Sequence, residues 1–192
     1  MASTNISRFH MHQGLNYRYQ AWQPISTNIT TIGTKAPYYA NIAVAAFLGD
    51  LTDAAARPQV VNLDLGSESK AAYASYVHGE LAKLMLINLH EYNTTAENNH
   101  TDPSATRGIK TFELQLPRTY GGKTATLQQL MANWSDAVSG VTFGGYSYNY
   151  ELDNGKPVLL NNVARGETLR VGRRGPVSVE VPDSSAVLLS FV

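Results

Sequence analysis

His10, His12, Gln13, Asn16, Tyr17, Trp22 and Gln23 lie close together near the N-terminus, in the run Arg8 to Pro24. Imidazoles, carboxamides and phenolic hydroxyls exchange hydrogen bonds, and aromatic rings offer apolar faces, so this set suits recognition of a sugar ring. Cleaving a glycosidic bond also needs two carboxyl groups, one to protonate the leaving oxygen and one to attack or to activate water. No Asp or Glu precedes Asp50. The segment reads as the recognition part of an active site whose catalytic acids lie elsewhere.

His10 and His12 fall on one side of a strand-like run, with Phe9 and Met11 on the other. Catalytic zinc usually takes three protein ligands and structural zinc four, so the pair is read as hydrogen-bonding residues and no metal or other cofactor is expected. Trp22 either stacks on a sugar or anchors its loop. Gly121-Gly122-Lys123-Thr124 lacks the upstream glycine of a phosphate loop and precedes a strand pattern, which excludes nucleotide binding. Arg173-Arg174-Gly175 reads as a solvated basic turn.

Composition narrows the remaining classes. The 192 residues carry 15 basic and 15 acidic side chains, so no overall field draws the chain to nucleic acid or to an anionic membrane. Zero cysteines exclude disulfides, zinc thiolates and thiol nucleophiles. The apolar helical stretch Tyr38 to Leu48 is too short to span a membrane, and Met1 to Ser7 has no secretory-signal pattern. Sequons at Asn5, Asn28, Asn93, Asn99 and Asn133 would suit an extracellular glycoprotein, although an Asn- and Thr-rich chain also produces such triplets by chance.

The elements that must position these residues differ along the chain. Ser7 to Gly49 reads as strand, loop and helix. Thr34 is the expected cap, Pro37 opens the helix, Tyr38, Ile42, Ala45, Ala46 and Leu48 form its apolar stripe, and Gly49 ends it. Such a unit cannot bury its own faces alone. From Gln59 onward alternating runs dominate: Val61, Leu63, Leu65; Phe112, Leu114, Leu116; Val177, Val179, Val181. Further strands are expected at 71–77, 81–89, 124–130, 141–150, 157–160 and 185–191, with Asp153-Asn154-Gly155 as a tight hairpin turn and 93–107 as a long exposed loop. Glu113, Glu151, Glu180 and Asp64 read as solvent-facing strand residues, and Asp153 as part of its turn. Strands without intervening helices predict a mainly β chain built on an antiparallel β-sandwich.

The motifs His12-Gln13-Gly14-Leu15-Asn16-Tyr17, Trp22-Gln23-Pro24 and Pro37-Tyr38-Tyr39-Ala40 resemble the C-terminal part of fungal glycoside hydrolase family 79, the β-glucuronidase and heparanase-like enzymes. The resemblance continues through 84–89, 127–131, Val141-Thr142-Phe143-Gly144-Gly145-Tyr146 and 181–188. It implies a TIM-like (β/α)8 barrel joined to a β-sandwich, with residues 1–49 as the last barrel strand, loop and helix and residues 50–192 as the sandwich. It also implies retaining hydrolysis of glucuronides by two Glu residues that this chain does not contain, and secretion of the full-length parent. By resemblance Gly14 and Tyr17, with Asn16 beside them and His12 at the border, meet the substrate carboxylate. The alternative for Gly14 and Tyr17 is backbone geometry and loop packing. Two functions are carried forward: the C-terminal portion of a β-glucuronidase-like glycosidase, inactive alone and bound to its carbohydrate through the barrel, or a stand-alone carbohydrate-binding or structural β-sandwich.

Overall fold

A computed structural model describes residues 2–4, 6, 9–17, 19–92, 95–96, 100–101 and 106–191. β1 (Trp22–Gln23) and β2 (Gly33–Thr34) pair antiparallel and lead into α1 (Ala36–Leu48). β3 (Gln59–Leu63), β4 (Lys70–Val77) and β5 (Glu80–Asn88) form a meander, and β6 (Thr95–Ala96) pairs with β7 (His100–Thr101). Then come β8 (Ile109–Gln115), β9 (Thr124–Met131), β10 (Thr142–Phe143), β11 (Tyr146–Ser147), α2 (Tyr150–Asp153), β12 (Val158–Leu159), β13 (Thr168–Arg170), β14 (Pro176–Pro182) and β15 (Ser185–Phe191).

The main sheet runs β12-β11-β10-β9-β15-β5-β4-β3, with β13 also on β9, and β14 and β8 form a separate two-stranded ribbon. On one face Val177, Val179, Val181 and Phe112 of the ribbon join Leu84, Leu86, Leu127, Val187 and Leu189 of the sheet in the larger core. On the other face Ala43 and Phe47 of α1 meet Met85, Phe143, Ala186 and Leu188. Because successive strand residues point to opposite faces, β15 at the centre is buried continuously from Ser185 to Leu189 rather than in alternation. β14 is covered on one face only and does alternate.

The antiparallel sandwich agrees with the sequence reading, and several local expectations change. Phe9 to Gln13 form no strand, and Phe9 is 63% exposed; Ser7 and Arg8 lie outside the described residues. No described strand lies beside this run, and an unpaired strand has no ladder to satisfy its backbone. Lys35 rather than Thr34 is the N-cap of α1, and Thr34 Oγ1 donates to Tyr148 O at 2.9 Å. The buried ridge of α1 is Tyr39, Ala43 and Phe47; Ile42, Ala46 and Leu48 are half-buried beside it, and Ala45 is exposed. The helix is apolar around most of its circumference, so periodicity alone does not select the face.

Asp153-Asn154-Gly155 is no two-residue hairpin turn: Asp153 closes α2, which carries Glu151, and Asn154 follows with φ +50°. The tight turns are His78-Gly79 and Gly144-Gly145, each with φ positive at both residues, as two-residue hairpins require. Glu113, Glu180 and Asp64 are exposed, as expected of the polar face. Of the loop expected at 93–107, residues 93–94, 97–99 and 102–105 lie outside the described residues.

Candidate functional site

The loop after Met11 is shaped by amides. Gln20 and Gln23 are each 1% exposed and their carboxamides abut in the interior. Gln23 Oε1 accepts the Asn16 N–H at 3.1 Å and Gln23 Nε2 donates to Ile25 O at 2.9 Å, while Gln13 Oε1 accepts the Ala21 N–H at 2.8 Å. Lys35, also buried, donates from Nζ to Tyr17 O at 3.2 Å, and burial lowers its pKa from the ordinary lysine value. A buried polar group is tolerated when its hydrogen bonds are made, so these side chains hold one loop conformation. The β1–β2 pairing closes the loop at its base, with Trp22 opposite Thr34 and Gln23 opposite Gly33.

On this frame His12, Asn16 and Tyr17 come together around one open cleft of about 800 Å³, with Phe9, His10, Met11 and Tyr19. Asn16 takes a left-handed backbone, φ +65°, and its Oδ1 accepts from Thr27 Oγ1 at 2.5 Å. Its side chain is committed to the loop as well as to the cleft wall. Gly14 does not line the cleft. The Tyr17 ring lies over it, so that a Cβ on Gly14 would come within 2.9 Å of Tyr17 Cε2. Tyr17 itself is 56% exposed, and its N–H donates to Gly14 O at 3.2 Å. Thus Gly14 supplies space, Asn16 rigidity, and Tyr17 and His12 accessible polar groups. Trp22 is exposed on β1 and does not line this cleft. Among the described residues no carboxylate lines it either, so the cleft shows imidazole, carboxamide and phenol groups without the carboxyl pair of a glycosidase.

Two latches that sequence reasoning missed fix this region to the sandwich and fix the sandwich to itself. The Tyr39 hydroxyl, on α1, accepts the Tyr148 N–H at 2.9 Å and lies 3.2 Å from Ser147 Oγ. The rings of Tyr38, Tyr39 and Tyr148 meet edge to face at 5.9–6.2 Å. At the other end of the helix Lys83 Nζ donates to Ala46 O at 2.5 Å, placing a cation where the helix dipole is negative. The Pro37-Tyr38-Tyr39 run signalled a helix start, but its distant partner was not legible.

The second latch centres on Asp183, 5% exposed, in the β14–β15 turn. Its Oδ1 accepts from Asn88 Nδ2 at 2.9 Å and its Oδ2 lies 3.1 Å from His90 Nδ1. Arg107 donates to the carbonyls of Asp183, Ala132 and Ser184 at 2.7, 2.7 and 3.1 Å. Burial lowers the Arg107 pKa, and its guanidinium lies 5.0 Å from the Tyr92 ring centroid. This knot joins the end of β5, the entry to β8 and the exit of β9. In the sequence Asp183 stood out only as part of the family-like run 181–188.

The layered β-sandwich, with a helix docked on its main sheet and an amide-rich loop before that helix, defines a β-domain. Residues 72–188 match the family profile described as the glycosyl hydrolase family 79 C-terminal beta domain, and the chain belongs to that family. It is 48% identical to a β-glucuronidase of Aspergillus niger over 99% of this chain and 35% of that protein. It is 43% identical to a β-glucuronidase of Neurospora crassa over 100% of this chain and 39% of that protein. The chain thus spans between a third and two fifths of the length of these relatives. The crystal structure of a 4-O-α-L-rhamnosyl-β-D-glucuronidase from Fusarium oxysporum superposes with a TM-score of 0.63 over 90% of this chain and 32% of that chain, at 21% identity, and shares the fold.

Proposed function

We propose that residues 50–192 are the sandwich of a retaining, β-glucuronidase-type glycosidase and that residues 1–49 are the last strand, loop and helix of its catalytic barrel, with 9–13 becoming a strand only when paired within that barrel. The observation that carries this reading is the 48% identity to a β-glucuronidase, over an alignment that takes in 99% of the chain. In this reading the loop presents the Tyr17 hydroxyl, with His12 and Asn16 beside it, to the carboxylate of a glucuronide. Gly14 leaves room for the Tyr17 ring. The acid and the nucleophile come from outside these residues. One carboxyl protonates the leaving oxygen while the other attacks the anomeric carbon, and water then releases the sugar from the covalent intermediate. The carbohydrate is the partner; heparanase-like substrates and a secreted, glycosylated parent belong to the same reading. Asn28 and Asn133 are exposed, as glycan acceptors must be, and Asn5, Asn93 and Asn99 lie outside the described residues.

The test is a chimera in which this chain replaces the matching third of the Aspergillus niger β-glucuronidase. Turnover of a chromogenic β-glucuronide by the chimera, with none by the chain alone, supports the reading. A folded chimera without turnover refutes it. A second reading, a stand-alone carbohydrate-binding or structural sandwich, draws on the Tyr39 latch, which makes α1 an integral part of the sandwich.

A further inference from the structure

A second pocket, of about 250 Å³, opens where the β4–β5 hairpin meets the segment between β8 and β9. Tyr76, Gly79, Glu80, Thr119, Tyr120 and Lys123 line it, and none of them lines the N-terminal cleft. The volume is just under the roughly 300–1,000 Å³ typical of drug-sized sites, a scale suited to one sugar ring. Its floor is rigid: Tyr120 is 7% exposed and its hydroxyl donates to Leu81 O at 2.9 Å. Gly79, with φ +78°, has no heavy atom within 4 Å of a Cβ position, so the hairpin side stays open.

Neither charge at the rim is ion-paired among the described residues. The Lys123 ammonium lies 4.8 Å from the Tyr120 ring centroid and has no carboxylate partner among the described residues. Exposed Glu80 likewise has no cationic partner among them. A carboxylate accepts hydrogen bonds from hydroxyls and repels a doubly charged phosphate more strongly than a singly charged carboxylate, while an ammonium attracts one negative group. The Tyr76 wall, one cation and one carboxylate together select a hydroxylated ring that carries a single negative charge.

We propose that this pocket is a secondary binding site for a uronic-acid residue of a glycan, with the ring against Tyr76, the sugar carboxylate on Lys123 and hydroxyls on Glu80 and Thr119. It holds glycan chains at the sandwich, away from the N-terminal cleft, and it does not depend on the barrel reading above.

The test is an amide chemical-shift titration of the isotopically labelled full chain with methyl β-D-glucuronide and, separately, methyl β-D-glucoside. The glucuronide is expected to move the Gly79, Glu80 and Thr119 to Lys123 amides saturably with a Kd on the order of millimolar, as for a single small ring. The glucoside binds about tenfold more weakly, as does the glucuronide to Lys123→Ala, because each loses a charge-assisted contact. Thr119→Ala weakens both sugars. Unmoved amides, equal binding of the two sugars, or undiminished binding to Lys123→Ala overturns the proposal. Shifts confined to residues 12–19 also overturn it, and report the N-terminal cleft instead.

Discussion

Removing one oxygen atom, in Tyr39→Phe, tests whether the N-terminal helix is latched to the sandwich. Tyr39 is 3% exposed; phenylalanine retains its ring contacts with Tyr38 and Tyr148 and loses only the hydroxyl. That leaves the Tyr148 N–H without the acceptor it has at 2.9 Å and Ser147 Oγ without its neighbour at 3.2 Å. An unsatisfied, largely buried donor costs about 1–3 kcal/mol. In a chain of this size each kcal/mol lowers Tm by roughly 2–4 °C, so about 2 kcal/mol predicts a fall of roughly 4–8 °C. Tyr39→Ala also removes the ring and is expected to cost about 3–5 kcal/mol, as for other buried aromatic truncations. Urea and thermal melts measure both, and hydrogen exchange locates the effect, since the Tyr148 amide should lose protection before the amides of β5 and β15. A Tm change below about 1 °C with Tyr148 protection intact would refute the latch, because an energetically relevant bond cannot be removed at no cost.

Asp183→Ala leaves one of the Asn88 amide's contacts and the His90 ring without an acceptor, and is expected to destabilise by about 2–3 kcal/mol in the same melts. Gly175→Ala should be worse, since φ is +100° and the new Cβ would lie 2.0 Å from Leu116 O; little or no soluble folded chain is the expected outcome, read by circular dichroism. In the chimera, Tyr17→Phe should lower kcat/KM for a β-glucuronide by about 1–3 kcal/mol and leave the matching glucoside nearly unchanged, whereas equal losses would assign Tyr17 to loop packing. Burial also lowers the Lys83 pKa, so the folded chain binds that proton less tightly than the unfolded chain. The group's contribution to stability therefore rises as pH climbs from the folded pKa to the ordinary lysine value, and the Tm of the wild-type chain should rise relative to that of Lys83→Met across that alkaline window.

Where one face of a strand is buried, the sequence and the structure agree closely. Val177, Val179 and Val181 alternate with polar residues and fall on the inner face of β14, because a half-covered strand must alternate. Where both faces are buried the pattern says less: Ser185 to Leu189 is buried on both sides because the ribbon covers one face and α1 the other. The candidate site divides similarly. His12, Asn16 and Tyr17 were identifiable from residue type and family likeness, and they do share a cleft. That Gly14 accommodates the Tyr17 ring, and that Gln20, Gln23 and Lys35 set the loop, depends on contacts within a folded loop that spacing does not encode.

By itself the sequence determined the antiparallel sandwich, the helix bounded by Pro37 and Gly49, the absence of an early carboxylate and the family likeness, since each rests on local chemistry or on the order of residues along the chain. Tertiary structure alone decided which face of α1 is buried and what its tyrosine bonds, placing Tyr39 against Ser147 and Tyr148 across 108 and 109 residues of chain. It likewise gathered Asn88, His90 and Arg107 around the Asp183 turn, and it paired Lys123 with the Tyr120 ring above an open pocket. The physical reason is that periodicity reports only how much apolar surface an element must hide. Which partner hides it, and which buried polar groups satisfy one another, is set by the sheet order and register of the whole fold.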